Sequence, residues 1–272
     1  FISATSKFLN KNKKFNGSIS FLITGDEEGY AINGTKKVVD YLIKKKEKID
    51  FCIVGEPTNP NKLGEMIKIG RRGSLSGNIE IFGTQGHIAY PHLSNNPINT
   101  LVSICKKLKE KKLDGGSKSF QPSNLEFTSI NVDNKAHNVI PARARAQFNI
   151  RYNNLHTANS LKKKIFSLVK KITNKNNCKF KINFMANGES FLTKPNKTIF
   201  LMKKIIKKNT RISPKLSTSG GTSDARFIRK IAPCLEFGLV NKTMHRVDEC
   251  VSLTDLKKLT KIYKDILVEY FK

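Results

Sequence analysis

Residues 21–29, FLITGDEEG, set three carboxylates in a row, Asp26, Glu27 and Glu28, behind four residues, Phe21 to Thr24, that read as a buried strand. Adjacent like charges repel, so the run costs the fold free energy unless a positive charge meets it. Glu56 follows the apolar run FCIV in VGEPT, and His245 follows LEFGLV in NKTMHRVDE. Open α/β sheets build their sites at the C-terminal ends of strands. Carboxylates and an imidazole gathered there make a hard oxygen–nitrogen set suited to Zn²⁺ or Co²⁺. A further carboxylate beside a ligand can take a proton from water, as a general base. The competing reading makes Glu27, Glu28 and Glu56 acids at helix N-termini that complement the helix dipole. Spacing alone leaves both open.

The elements that would position these residues follow from periodicity. The first 72 residues alternate helix and strand: ISATSKFLNKN, SISFLIT, GTKKVVDYLIKKK and DFCIVGE. Short apolar strands between amphipathic helices predict an α/β domain with a parallel-type sheet covered by helices. From Gly73 the rhythm becomes β-α-β-β-α-β, carried by SLSGNIEIFG, PINTLVSICKKLKEKK, NLEFTSINVD, RARAQFNIRYN, ANSLKKKIFSLVKKIT and KFKINFMA. That order predicts a two-layer ferredoxin-like unit. Helix–strand alternation returns after about Gly188. The expected organisation is a discontinuous domain, 1–72 and 187–272, interrupted by an insert at 73–186.

Composition narrows the classes of function. The 272 residues carry 50 basic and 21 acidic side chains, a net charge of +29. Only nine of the basic residues are Arg; the 41 Lys lie in short scattered runs, and Trp is absent. Nucleic-acid readers favour Arg and interleave aromatics, so no nucleic-acid partner is expected. There is no apolar run of about 18 residues, so no membrane span is expected, and the start lacks a signal-peptide pattern. The five cysteines stand at irregular spacing without a CxxC pair, which argues for packing residues in a reducing, cytoplasmic setting rather than disulfides or a thiolate zinc site. Cys52 and Cys250, near candidate site residues, are also read as packing. His137 and His156 lack a partner pattern and read as surface residues.

Taken together, TGDEEG, VGEPT, GRRGS, GTQGHIAYPH, NVIPARA, FNIRY, SGGTSDARFI and MHRVDE resemble the M20 metallopeptidase family, in order from residue 20 to 250. The resemblance implies a zinc-peptidase-like catalytic domain holding two divalent metal ions, Zn²⁺ or Co²⁺, and an inserted domain that forms a homodimer. It implies Glu27 as general base, Glu28 and Glu56 as ligands of different metals, and His245 as a further metal ligand. His87, in GHIAYPH, would reach across the dimer to donate to the developing oxyanion; a hydrogen bond to its own turn is the plainer alternative. Within the family, GHIAYPH and TSDARFI point to hydrolysis of N-succinyl-LL-2,6-diaminopimelate to succinate and LL-diaminopimelate, in lysine and diaminopimelate biosynthesis. The alternatives are another deacylase of the family, acting on acetylornithine, and a non-catalytic dimeric fragment.

Such a substrate carries several carboxylates. Arg151 in FNIRY is the foremost partner for one, because a guanidinium binds carboxylate bidentately. Asn138 and one of Arg71 or Arg72 come next, Tyr90 would line the substrate channel, and His92 reads as structural. In TSGGTSD, Gly221 and Thr222 could offer backbone N–H groups and a hydroxyl, although a tight turn capped by Asp224 fits the same residues. The family pattern begins with a His-x-Asp and a bridging Asp, whereas no His precedes His87 here. The catalytic domain therefore reads as N-terminally incomplete, and the 272-residue chain is expected to bind metal weakly and turn over slowly.

Overall fold

The chain divides into two units, Phe1–Arg71 with Leu192–Lys272, and Arg72–Phe191, in a computed structural model that describes residues 1–29 and 31–272. In the first unit a four-stranded sheet runs in the order Cys52–Val54, Cys234–Glu236, Met66–Lys68, Lys215–Ser217. The outer pairings are parallel and the central one antiparallel, so the sheet is mixed rather than wholly parallel. The reason lies in residues 55–65. They contain no helix, and a parallel return needs a crossover of about a dozen residues or more, usually helical.

Helices pack on this sheet where the apolar stripe recurs every three or four residues. Lys197–Thr210 buries Ile199, Met202, Ile205 and Ile206, and the Asn196 side chain caps it by accepting from Ile199 N (3.0 Å). Leu253–Tyr270, capped by Ser252, buries Leu259, Ile262, Tyr263 and Ile266. These residues join Ala4, Ile67, Leu235 and Phe237 in one core. The strand expected over 18–24 does not form. Residues 18–24 pair with no strand, and Ile23 is 80% exposed. An apolar run becomes a strand only where a neighbouring edge takes its backbone groups, and none among the described residues does so.

The second unit is antiparallel, in the order Asn124–Asn131, Arg143–Tyr152, Gly73–Phe82, Lys179–Gly188. Numbered along the unit, that is 2-3-1-4, the ferredoxin-like arrangement read from the element order. Helix Ala158–Lys175 starts with a Thr157/Ser160 capping box and buries Leu161, Ile165 and Val169. Together with helix Pro97–Glu110 it covers a core of Leu75, Ile79, Ile81, Leu101, Phe148 and Ile150. His156 corrects its surface reading: it is buried and its Nε2 lies 3.1 Å from Asp114 Oδ2. Asp114 is the hub of a loop lock, accepting from Gly116 N (2.7 Å), Asn153 Nδ2 (2.6 Å) and Ser123 N. That partner is 42 residues away, beyond any local pattern.

Candidate active site

The first unit sorts the three consecutive acids. Asp26, at φ +65°, turns back and accepts from Ile32 N (2.7 Å) and Asn33 N (2.8 Å), so it closes its own loop. Glu27 and Glu28 are left for other work. Among the described residues no helix starts beside them or beside Glu56; the first helix after Glu28 begins at Thr35. The helix-dipole reading therefore has no helix to act on.

Glu28 Oε1 lies 3.8 Å from His245 Nε2, although 217 positions separate the two in the chain. His245 sits in a turn at φ +59°, with its backbone N–H on Glu249 Oε2 (3.0 Å). Glu56 leaves the end of strand Cys52–Val54 and passes so close to Gly238 that a side chain at 238 would collide with the Glu56 carbonyl. Burial, and then the charges of Glu236 and Glu27, push the Glu56 carboxyl up to about 7. Glu27 is raised too, first by burial and then by Glu28 and Asp224, with Arg226 opposing. Asp224 occupies the N-cap position of the short helix Ala225–Ile228 but makes no capping bond. Its Oδ1 is a buried acceptor with no hydrogen-bond partner. The assembled group is thus acidic and short of donors.

Carboxylates and an imidazole suit a divalent cation in kind. Among the described residues no group of three or more His, Cys, Asp or Glu stands close enough to hold one, so the set is two donors, Glu28 and His245, at its densest point.

The loop 218–223 belongs to this unit. Gly221 is exposed with open space around it, and Thr222 is half-buried. Arg71, proposed from sequence for substrate, is buried and committed elsewhere. Its Nε and Nη2 bind the Glu236 carboxylate and its Nη1 donates to Ser219 O (3.2 Å). Glu236 and Lys68 escaped the sequence reading. Their signal was available: a lone charge inside an apolar strand, in CLEFG and MIKIG.

The second unit gathers two further groups. Strand pair Gly86–His87 and Val139–Ile140 brings His87 next to Val139, and Ile88 N donates to Asn138 O (3.0 Å). His87 Nδ1 accepts from Ala89 N (3.1 Å), the turn bond anticipated as its plainer role, which uses one of two ring nitrogens. The Tyr90 ring lies 5.9 Å from His87 and 6.4 Å from His92, and all three are exposed. Arg72 donates to Asn124 Oδ1 (2.8 Å); burial and the neighbouring Arg151 charge lower its pKa. Arg151, opposite Ser74 and Asn124 in the sheet, is half-buried. His137 is exposed, as read. Of the cysteines, all five are free; Cys178 and Cys234 are buried, while Cys250 is exposed and not a packing residue. Among the described residues no helix is long and apolar enough to cross a membrane.

The chain thus joins an α/β unit with helices on a mixed sheet, in which Glu28 meets His245, to a ferredoxin-like second unit. The model for peptidase family M20/M25/M40 matches residues 1–269, and the chain belongs to that family. It is 65% identical over 271 residues to a succinyl-diaminopimelate desuccinylase of Pelagibacter ubique, covering 100% of this chain and 71% of that one. A protein of the same name from Methylobacterium radiotolerans is 49% identical over 272 residues, 99% of this chain and 69% of its own. Among solved structures, aminopeptidase PepT of Bacillus cereus superposes with a TM-score of 0.80 at 16% identity, over 100% of this chain and 70% of that one. The M20 family metallo-carboxypeptidase Sso-CP2 of Sulfolobus solfataricus gives 0.73 at 19%, over 97% and 72%. The structural likenesses establish the fold; family membership brings with it dependence on a divalent metal.

Proposed function

We propose that the chain is an amide hydrolase that removes the succinyl group from N-succinyl-LL-2,6-diaminopimelate, giving succinate and LL-diaminopimelate. The observation that carries this reading is 65% identity along the whole chain to a desuccinylase, and the approach of Glu28 to His245 supports it. Glu28 and His245 would hold one Zn²⁺ or Co²⁺, and Glu56 would contribute to a second. A bound metal supplies Lewis-acid polarisation of the amide carbonyl and an activated water. Glu27, raised by burial and its acidic neighbours, would accept a proton from water and return it to the leaving amine. Arg151 and Arg72 offer two guanidinium groups to the substrate's carboxylates, with Asn138 and Tyr90 as neutral partners. His87 is assigned to the oxyanion, supplied from a second copy of the chain in a homodimer. The edge strand Asn124–Asn131, hydrogen-bonded on one side and carrying exposed Ile130, supports such an association.

The test is hydrolysis of N-succinyl-LL-2,6-diaminopimelate against N-acetylornithine by the full chain in Zn²⁺ or Co²⁺. A kcat/KM at least about 100-fold higher for the succinyl substrate is expected, since sites built to bind a polar group reject analogues lacking it by large factors. Preference for acetylornithine moves the chain to another deacylase of the family.

A further inference from the structure

Beneath the glycine-rich loop 218–223 lies a buried ionic assembly that the catalytic reading leaves unused. Glu236, 1% exposed on the strand Cys234–Glu236, takes the Arg71 guanidinium on both carboxylate oxygens. The same carboxylate accepts from Ser223 Oγ. Arg71 Nη1 donates to Ser219 O (3.2 Å), and Lys68 Nζ, also buried, donates to Ser219 Oγ (2.7 Å). The loop is therefore pinned at residue 219 by two cations and at residue 223 by the acid that holds one of them. Between the pins stand Gly220, Gly221 and Thr222. Gly220 adopts φ +103°, and a Cβ there would strike Arg71 Nη1, so the backbone lies directly on the guanidinium.

A buried ion pair contributes little net stability, because desolvation offsets its attraction. What it does impose is geometry: each partner is fixed by several directional bonds. The three ionic groups that touch the loop, Lys68, Arg71 and Glu236, sum to one positive charge. Two cations bonded to the loop at Ser219, beside the exposed Gly221, suit a carboxylate. We propose that Glu236 is a positioning residue for this loop, holding it through Arg71 and Ser223 in the shape that receives a substrate carboxylate, with Lys68 supplying the excess positive charge below it. This rests on the reading of Gly221 and Thr222 as substrate contacts. Lys68, whose pKa burial and Arg71 lower to about 8, stays mostly protonated at neutral pH.

The experiment uses the full chain and the variants Glu236→Gln, Ser223→Ala and Thr222→Val. Amide hydrogen exchange is followed for residues 218–223 and for the helix Leu253–Tyr270, and binding and turnover are measured with N-succinyl-LL-2,6-diaminopimelate as probe. Losing a charge-assisted hydrogen bond is expected to speed loop exchange in Glu236→Gln by about tenfold, with the helix unchanged. KM and probe Kd rise by about the same factor while kcat holds, the pattern of lost uniform binding. Ser223→Ala, a milder change that keeps the ion pair, moves the same readouts by about threefold. Wild-type loop exchange in Glu236→Gln, together with weakened binding in Thr222→Val, overturns the positioning role alone. Equal loosening of loop and helix in both Glu236→Gln and Ser223→Ala reduces it to a structural part and overturns it as well. Unchanged probe binding in Thr222→Val overturns the carboxylate reading on which it rests.

Discussion

The two units treat their carboxylates in opposite ways. In the second unit, burial alone would raise Asp114, but donors from Ser123, Gly116 and Asn153 outweigh it and hold the group down to about 2. In the first, Glu27 and Glu56 sit among like charges and are raised, Glu56 to about 7. A carboxylate ringed by donors stabilises the fold that supplies them. One crowded by other carboxylates stabilises nothing until a cation arrives. The difference marks Asp114 as a structural acid and Glu27 and Glu56 as candidates for a ligand site.

The sharpest break in that comparison is Glu27→Gln. If Glu27 moves protons, turnover of the succinyl substrate drops by about 10³-fold with KM little changed. A drop of less than about tenfold would return Glu27 to the role of spectator. Next is Asp114→Ala, which strands several donors. It should lower unfolding free energy by about 2–4 kcal/mol in urea titrations, with the loss centred on the second unit. Loss below 1 kcal/mol would mean that the lock is ornamental.

Titration separates the units by sign. Asp114 is depressed, so its stabilisation is full above about 4 and drains away as pH falls toward 2. Glu56 is raised, so metal-free stability is full below about 4.5 and declines as pH climbs to about 7, then levels. Melting curves across pH 2–9 without metal should show both slopes. Asp114→Asn should erase only the acid one, and Glu56→Gln should flatten the slope between about 4.5 and 7 without touching the acid one. The smallest effect is expected from His87→Ala. Among the described residues the exposed ring bonds to its own turn, so stability should stay within about 0.5 kcal/mol. A larger loss would make His87 a structural residue and remove it as oxyanion donor.

Much of the architecture was legible along the chain. The β-α-β-β-α-β order of the second unit, its helix read over 158–173 and the last helix from Leu253 follow from patterns with a reach of a few residues. The failures share a cause. Residues 18–24 have the composition of a strand, but pairing is a property of two segments, and no second segment among the described residues takes theirs. The parallel sheet turned mixed because the chain returns between Val54 and Met66 without a helix. His156 read as a surface residue because its partner, Asp114, lies 42 positions away.

The site divides along the same line. Residue types and order along the chain nominated Glu27, Glu28, Glu56 and His245, spacing alone left their use open, and the family resemblance gave them their expected roles. Which acid does what required three dimensions. Asp26 folds back onto its own loop, Arg71 is held by Glu236 rather than left open, and His245 meets Glu28 across 217 positions. Local pattern can specify an element because its forces act between neighbours in sequence. The partner of a buried charge is chosen by packing, where distance along the chain has no bearing.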